Sequence, residues 1–352
     1  MKKILTSSLV ILLAMCTSLL AQTATAPSFG DGSSGSPYQI STLNHLYWIT
    51  QNSSEWDKYY IQTANIDAFS TSSWDSNEGF SRIGNNSTKF TGSYDGDGYT
   101  INGLTITRSS TNYIGLFGYT NGAAIQDLGV TNVSITGSGW LSALIGINGS
   151  SSTTVSNCYS TGTVTGNSNV VGGLFGRPYE TTISNCYSTC NVTGGGTYVG
   201  GLAGRIRENS NVTNCYSTGT VTGTGNFVGG LAGNIHHSGT SVSNCYSTGS
   251  VTGSASYVGG FIGWLSASPT VSNSFWDTQT SGQGSSAGGA GAVGKTTADM
   301  KTARTFYAAS WDFEEDGNGN DNGTNGGASG NGTDNYWDMD QDGNNYPVLS
   351  WQ

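Results

Sequence analysis

One glycine-bracketed phrase recurs along the chain and constrains its fold more than any other feature. It reads IGLFG (Ile114–Gly118), LSALIG (Leu141–Gly146), VGGLFG (Val171–Gly176), VGGLAG (Val199–Gly204), VGGLAG (Val228–Gly233) and VGGFIG (Val258–Gly263). The closing glycines stand 28, 30, 28, 29 and 30 residues apart. A second phrase keeps the same step: NCYSTG from Asn157, Asn214 and Asn244, NCYSTC from Asn185, and NSFWDT from Asn273. A period of this size marks a repeat architecture in which each unit buries its apolar face on its neighbours. Within a unit, short β-branched runs such as Thr154-Val155-Ser156 and Thr163-Val164-Thr165 alternate with Gly, Ser and Asn, and no stretch has helical periodicity. Such runs predict strands. We expect three strands and three turns in each coil of about 29 residues, and coils ~4.8 Å apart, so that six form a rod on the order of 30 Å long. The fold class is all-β, a parallel β-helix.

The strict period separates this chain from a disordered one, although 54 of its 352 residues are glycine and only 10% are charged. The first residues have the form of a secretory signal, with Lys2-Lys3, an apolar run from Ile4 to Met15, and Ser18-Leu19-Leu20-Ala21 before Gln22. Cleavage after Ala21 would take the net charge from −10 to −12. That balance disfavours nucleic acid and anionic membranes as partners. No later stretch is apolar enough to be read as a transmembrane segment. The expected address is extracellular or the cell surface. Four of the five remaining cysteines, Cys158, Cys186, Cys215 and Cys245, share one repeat position and should stack as a ladder. Parallel side chains in register fit disulfide geometry poorly. Cys190 is the one candidate to pair with Cys186.

Residues 22–110 precede the regular repeats and are expected to supply an N-terminal cap and the first strands, with a short helix over Thr42 to Thr50. The repeat array spans 111–276. Residues 277–352 are expected to form a C-terminal cap, with a helix from Thr296 to Tyr307 and an acidic Gly/Asn-rich loop. A solenoid exposes unpaired strand edges at its ends, so caps are required.

The ordered motifs GDGSSGSPYQI (30–40), YYIQTANID (59–67), FTGSYDGDGYTINGLTI (90–106), GLFG, and VGGLFG with NCYSTGTVTG resemble bacterial secreted proteins carrying GLUG repeats. The tail segments 280–313 and 345–352 resemble the usual ending of such arrays. The resemblance implies a right-handed parallel β-helix on an exported or surface protein. Some arrays of this kind accompany IgA-cleaving zinc peptidases or large adhesins. No HExxH occurs here, and His45, His236 and His237 are the only histidines, so the resemblance implies a fold and an address rather than an activity.

Several residue groups are candidates for function. Asp338, Asp340 and Asp342, with Gly343 and Asn344, place oxygen ligands at alternate positions of a tight loop, as a Ca²⁺ site requires. Leu349 stands where an EF-hand has its bidentate Glu, and the alternative is a solvated acidic turn. Asp312, Glu314 and Asp316 repeat the spacing. Two columns flank core valines and isoleucines and should face outward, one through Thr107, Thr136, Thr165, Thr193, Thr222 and Thr252, the other through Thr105, Ser134, Thr163, Asn191, Thr220 and Ser250, whose Ser and Asn break its regularity. They resemble the ice-binding faces of β-solenoid antifreeze proteins, and Thr is also a common choice on any exposed strand. Glu180, Glu208 and His237 should form a column beside Arg177, Arg205, Arg207 and His236. Two carboxylates about 5 Å apart meet the spacing of a retaining glycosidase, and Arg beside acids suits uronates. Exposed Glu–Arg pairs are also ordinary surface ion pairs. Trp140 and Trp264 are expected at coil turns, where they could stack on a sugar.

The function read from the sequence is a non-enzymatic binding or adhesion module, whose partner is an extracellular polysaccharide or a cell-surface glycan or protein. Its ligand-binding candidates are Arg177, Glu180, Arg205, Glu208, His237 and Trp264. Alternatives are a polysaccharide lyase or hydrolase, and an ice-binding protein.

Overall fold

The computed structural model describes residues 22–167, 169–254, 257–286, 291–313, 337–339 and 345–352. The signal segment, Glu314, Asp316, Asp340, Asp342 and Asn344 lie outside the described residues.

The chain climbs as a parallel β-solenoid. One representative coil consists of Thr153–Ser156, Tyr159–Gly166, Val170–Gly172 and Phe175–Arg177. Stacking such coils builds sheets of nine, thirteen, five and six strands. The expected three strands per coil are therefore corrected to four. The glycine tag is not one strand but two, because the chain doubles back between Gly172 and Phe175. This fold-back requires glycine. A Cβ at Gly233 would stand 2.5 Å from the Val199 backbone nitrogen and 2.7 Å from the Gly204 carbonyl oxygen, so the two strands meet backbone to backbone.

Equivalent positions pair in register from coil to coil. Thr154 pairs with Thr182, Thr182 with Asn211, Asn211 with Ser241, and Ser241 with Thr270. Register follows from burial, because a slip by one residue would turn every inward side chain outward. The interior is a set of ladders: Val155, Ile183, Val212 and Val242 on one face, and Val164, Val192, Val221 and Val251 on the next, each at most 3% exposed. Burying one such side chain contributes roughly 1.5–3 kcal/mol.

The NCYS phrase works through its asparagine. Asn157, Asn185, Asn214 and Asn244 have φ of 52°, 53°, 52° and 52°, the left-handed region that Asn tolerates better than other non-glycine residues. Their amides form a second ladder: Asn157 donates to Asp127 (2.8 Å), Asn185 to Asn157 (3.2 Å) and Asn214 to Asn185 (3.3 Å). The turn resets the alternation, so the following Cys enters the core and the Tyr after it points outward. Cys158, Cys186, Cys190, Cys215 and Cys245 are all buried and free, which overturns the Cys186–Cys190 pairing. Cys186 Sγ is turned back onto the Ser184 carbonyl (3.1 Å), and the Cys190 amide instead donates to Ser188 Oγ (3.3 Å). Burial, the dominant cause, raises the Cys158, Cys186 and Cys215 thiols well above their usual range and lifts Cys190 to about 11. These are packing groups held as thiols.

The nine-stranded sheet reaches back through Ser93–Asp95 and Tyr59–Gln62 to Tyr38–Ile40. Helix α1, Leu43–Gln51, starts at Thr42, whose hydroxyl accepts from the His45 amide, and it buries Leu46 and Ile49. Trp56, Trp74, Phe80 and Phe90 fill this end. At the other end Ala292–Lys295 pairs with Ser274–Asp277. The helix expected from Thr296 to Tyr307 is two: Thr297–Met300, opened by a Thr296/Asp299 capping box, and Ala303–Tyr307. The break falls at Lys301 and Thr302, where the Thr302 hydroxyl donates to the Ala298 carbonyl. Among the described residues no helix is long and apolar enough to cross a membrane.

Candidate ligand-binding face

Outward positions of the five-stranded sheet form an aromatic row. Trp140 pairs with Val170, Val170 with Tyr198, Tyr198 with Phe227, and Phe227 with Tyr257. The six-stranded sheet beside it carries a second row, in which Tyr119 pairs with Ile147, Ile147 with Arg177, Arg205 with Asn234, and Asn234 with Trp264. The tight glycine fold-back brings the rows together. Tyr113 stacks on Trp140 (5.0 Å, 9°), and Tyr198 on Phe227 (5.3 Å, 13°). Tyr257 meets Trp264 edge to face at 4.6 Å. Guanidinium groups enter the same row: Arg205 lies 4.6 Å from the centre of the Tyr198 ring and Arg177 5.9 Å from that of Trp140. Lys89 stands 5.3 Å from the centre of Tyr119.

The predicted column is present in part. Tyr179 pairs with Arg207, and the Glu180 amide donates to the Glu208 carbonyl (2.8 Å), so the two acids occupy equivalent positions in adjacent coils. Glu180, Glu208 and His237 all have left-handed φ, at 47°, 34° and 87°. Gly122 and Ala267, at the same repeat position, do so as well. The position is a strained turn in five coils, which accounts for its irregular occupancy. Glu208 is engaged by Arg207, with His236 at 3.8 Å and His237 at 3.9 Å. Glu180 has no cation within 4.0 Å among the described residues. Arg177 and Arg205 belong to the aromatic row rather than to the acids, and Arg205 Nε donates to Asn234 Oδ1 at 2.9 Å. Trp140 and Trp264 lie on strands, Trp140–Leu141 of the five-stranded sheet and Ile262–Ser266 of the six-stranded sheet, not at turns as expected, because the chain runs as two strands around the glycine tag.

Positive charge is under-compensated here. Burial lowers the proton affinity of Arg177, and Arg207 adds to the effect; burial likewise lowers that of Arg205, with Arg207 and Arg177 contributing. Burial, then Arg207 and Arg205, also depress His236. The Nε atoms of Arg82, Arg177 and Arg207 are buried and make no hydrogen bond. The sequence places Tyr119 in the column of Arg177, Arg205 and Trp264, but Tyr113, Tyr198, Phe227, Tyr257, Arg82 and Lys89 were not singled out. One signal was available: the residue before each of the last three tags is Tyr, Phe and Tyr, at 198, 227 and 257.

The Thr columns do face outward, in register from Thr107 through Thr136, Thr165, Thr193 and Thr222 to Thr252. Asp338 sits on the short strand Trp337–Asp338, paired antiparallel with Val348–Leu349. No group of three or more metal-ligating side chains occurs among the described residues.

The GLUG motif matches residues 195–222. Over 158 residues the chain is 42% identical to halomucin of Haloquadratum walsbyi, covering 43% of this chain and 2% of halomucin. Over 109 residues it is 33% identical to a candidate Gly-rich membrane protein of Evansella cellulosilytica, covering 31% of this chain and 12% of that protein. The chain thus corresponds to a small part of these much longer relatives. A solved structure of a candidate immunoglobulin A1 protease from Bacteroides ovatus superposes with a TM-score of 0.63 over 92% of this chain and 95% of that one, at 21% identity, a likeness of fold. With its repeating tags, in-register coils and motif match, the chain is a parallel β-helix that carries the GLUG motif and is similar to GLUG-repeat proteins.

Proposed function

We propose that this protein is a non-enzymatic, surface-associated binding module that engages an extracellular polysaccharide or cell-surface glycan along one face of its rod. The observation that carries the reading is the part-exposed aromatic–arginine row from Tyr113 to Trp264. Coils stacked in register set related aromatic and cationic contacts at regular intervals, and contacts too weak singly add through multivalency. The partial matches to halomucin and to a Gly-rich membrane protein support a surface address. The engagement of Glu208 by Arg207 fits an ion-paired turn better than an acid–base pair. A Ca²⁺ role for Asp338, Asp340, Asp342 and Asn344 stands as a proposal from their spacing alone. The test is to pass the purified protein over immobilised polysaccharides and to measure retention and polymer length together. Retention without shortening, lost in Tyr198→Ala and Trp264→Ala, is the expected result. Shortened chains would overturn it in favour of the lyase or hydrolase reading.

A second reading has its own observation. The outward Thr column is unbroken over six coils, so ice binding is tested by thermal hysteresis before and after Thr165→Tyr and Thr222→Tyr. No change on substitution would sink it.

A further inference from the structure

We propose that the aromatic–arginine face selects polysaccharides bearing anionic groups, uronate carboxylates or sulfate esters; this rests on the binding-module reading and names its ligand class.

The chain carries a net charge of −10, yet its cations are not dispersed. Between residues 109 and 294 the only Lys or Arg side chains are Arg177, Arg205 and Arg207, and His236 and His237 are the only histidines. All five fall on this one face. Arg82 and Lys89 extend it toward the N-terminal end: a Cβ on Gly118 would meet the Arg82 side chain, and Lys89 lies over Tyr119. Against this charge the face presents Glu208, already engaged by Arg207, and Glu180, which has no cation partner among the described residues.

Guanidinium groups held part-buried without acceptors for their inner nitrogens are under-compensated, and an anion laid against their outer edges would offset that charge. The Nε atoms of Arg177 and Arg207 are in that state. The depressed proton affinities of Arg177 and Arg205 report the same desolvation and mutual repulsion. Ring orientation adds to the argument. Tyr113 and Trp140, and Tyr198 and Phe227, turn their faces toward one another along the rod. An aromatic edge is the positive part of the ring quadrupole, and it favours anions as the arginines do. Single-stranded nucleic acid is also anionic, but its aromatic recognition relies on free ring faces for base stacking. Those faces are occupied here, so an acidic glycan is the better match.

The full chain is tested on immobilised polygalacturonate, its methyl ester, dextran sulfate, dextran and oligo(dT), at low and high salt. Retention on polygalacturonate or dextran sulfate that is absent on the neutral counterpart, and falls with salt, is expected; the two polymers separate carboxylate from sulfate recognition. The Arg177→Gln/Arg205→Gln variant should lose roughly tenfold or more in retention, the loss of at least one charge-assisted hydrogen bond. The ester and salt comparisons use the unaltered protein, so they decide the matter even if the variant misfolds. Equal retention of charged and neutral polymers would overturn the anion selectivity while leaving the binding module intact. Undiminished retention of a folded double variant would place the site elsewhere. Retention of oligo(dT) as strong as of the glycans would overturn the glycan assignment, and retention of no polymer would overturn both readings.

Discussion

Two aromatic ladders run along this rod, and they have opposite fates. On the thirteen-stranded sheet Tyr159, Tyr187, Tyr216 and Tyr246 stack at 4.8, 4.8 and 4.9 Å, nearly parallel. Trp351 lies against the first two, and Trp337 against the last two. Tyr246 donates to the Pro347 carbonyl (2.6 Å), and Tyr216 to Gln352 (2.9 Å). Burial raises Tyr187 to about 12 and Tyr246 well beyond the usual phenol range. Toward Tyr159 the covering ends in a cleft of about 410 Å³, bordered by Asp97, Asp127 and Trp351. On the other face, Tyr198 stacks on Phe227 and Phe227 meets Tyr257 at a tilt of 31°, but these rings remain part-exposed, with Arg205 in place of a covering chain. The same ladder principle thus yields a docking seam for the chain's own C-terminal segment on one side and an open surface on the other. Aromatic stacking by itself does not mark a ligand site; lack of cover together with intercalated charge does.

The comparison is broken most strongly at Tyr216. Tyr216→Ala removes a ring that is 4% exposed and contacts Trp337, and should cost roughly 3 kcal/mol in denaturant unfolding while exposing the segments 337–339 and 345–352 to limited proteolysis. Tyr198→Ala, the open counterpart, should cost about 1 kcal/mol or less and leave proteolysis unchanged, but abolish glycan retention. If both substitutions destabilise equally, the distinction between seam and surface fails. An intermediate effect is expected at the turn both faces depend on. Asn214→Ala should lose about 1–2 kcal/mol through left-handed strain and the broken amide ladder, and Asn214→Gly should recover part of it, as read by thermal melts.

The smallest effect concerns pH. His236 faces Arg205, Arg207, Glu208 and His237, and its pKa lies below the ordinary 6.5. Protonation is therefore disfavoured in the folded state, and its contribution to stability is fully kept above 6.5 and lost as pH falls below that value. A modest decline in unfolding midpoint between pH 7 and 5, reduced in His236→Gln, checks the sign. The same protonation adds positive charge to the open face, so retention of an acidic glycan should rise over the range in which stability declines.

The sequence by itself determined the period, the inward Val164 column and the register, but left open whether the Cys and Tyr columns face in or out, because the turn at Asn157 could reset the alternation. Val155 and Val164 recur at fixed offsets, and only one stacking buries both columns. Helix α1 was legible from its apolar spacing and Thr42, and the Thr columns from their alternation with valine. The fourth strand was not legible, because VGGLFG holds two strands in the space of one and only the backbone contact at its glycines separates them. The site was legible in part. Arg177, Arg205, Glu208 and Trp264 were singled out, but the arginines were assigned to the acids rather than to the rings. Tertiary structure alone decided which tyrosine ladder is covered. An outward Tyr at position 187 and one at position 198 look alike along the chain, and the segment that distinguishes them lies more than a hundred residues beyond both. Local pattern fixes which way a side chain points; only the path of the distant chain fixes what it meets there.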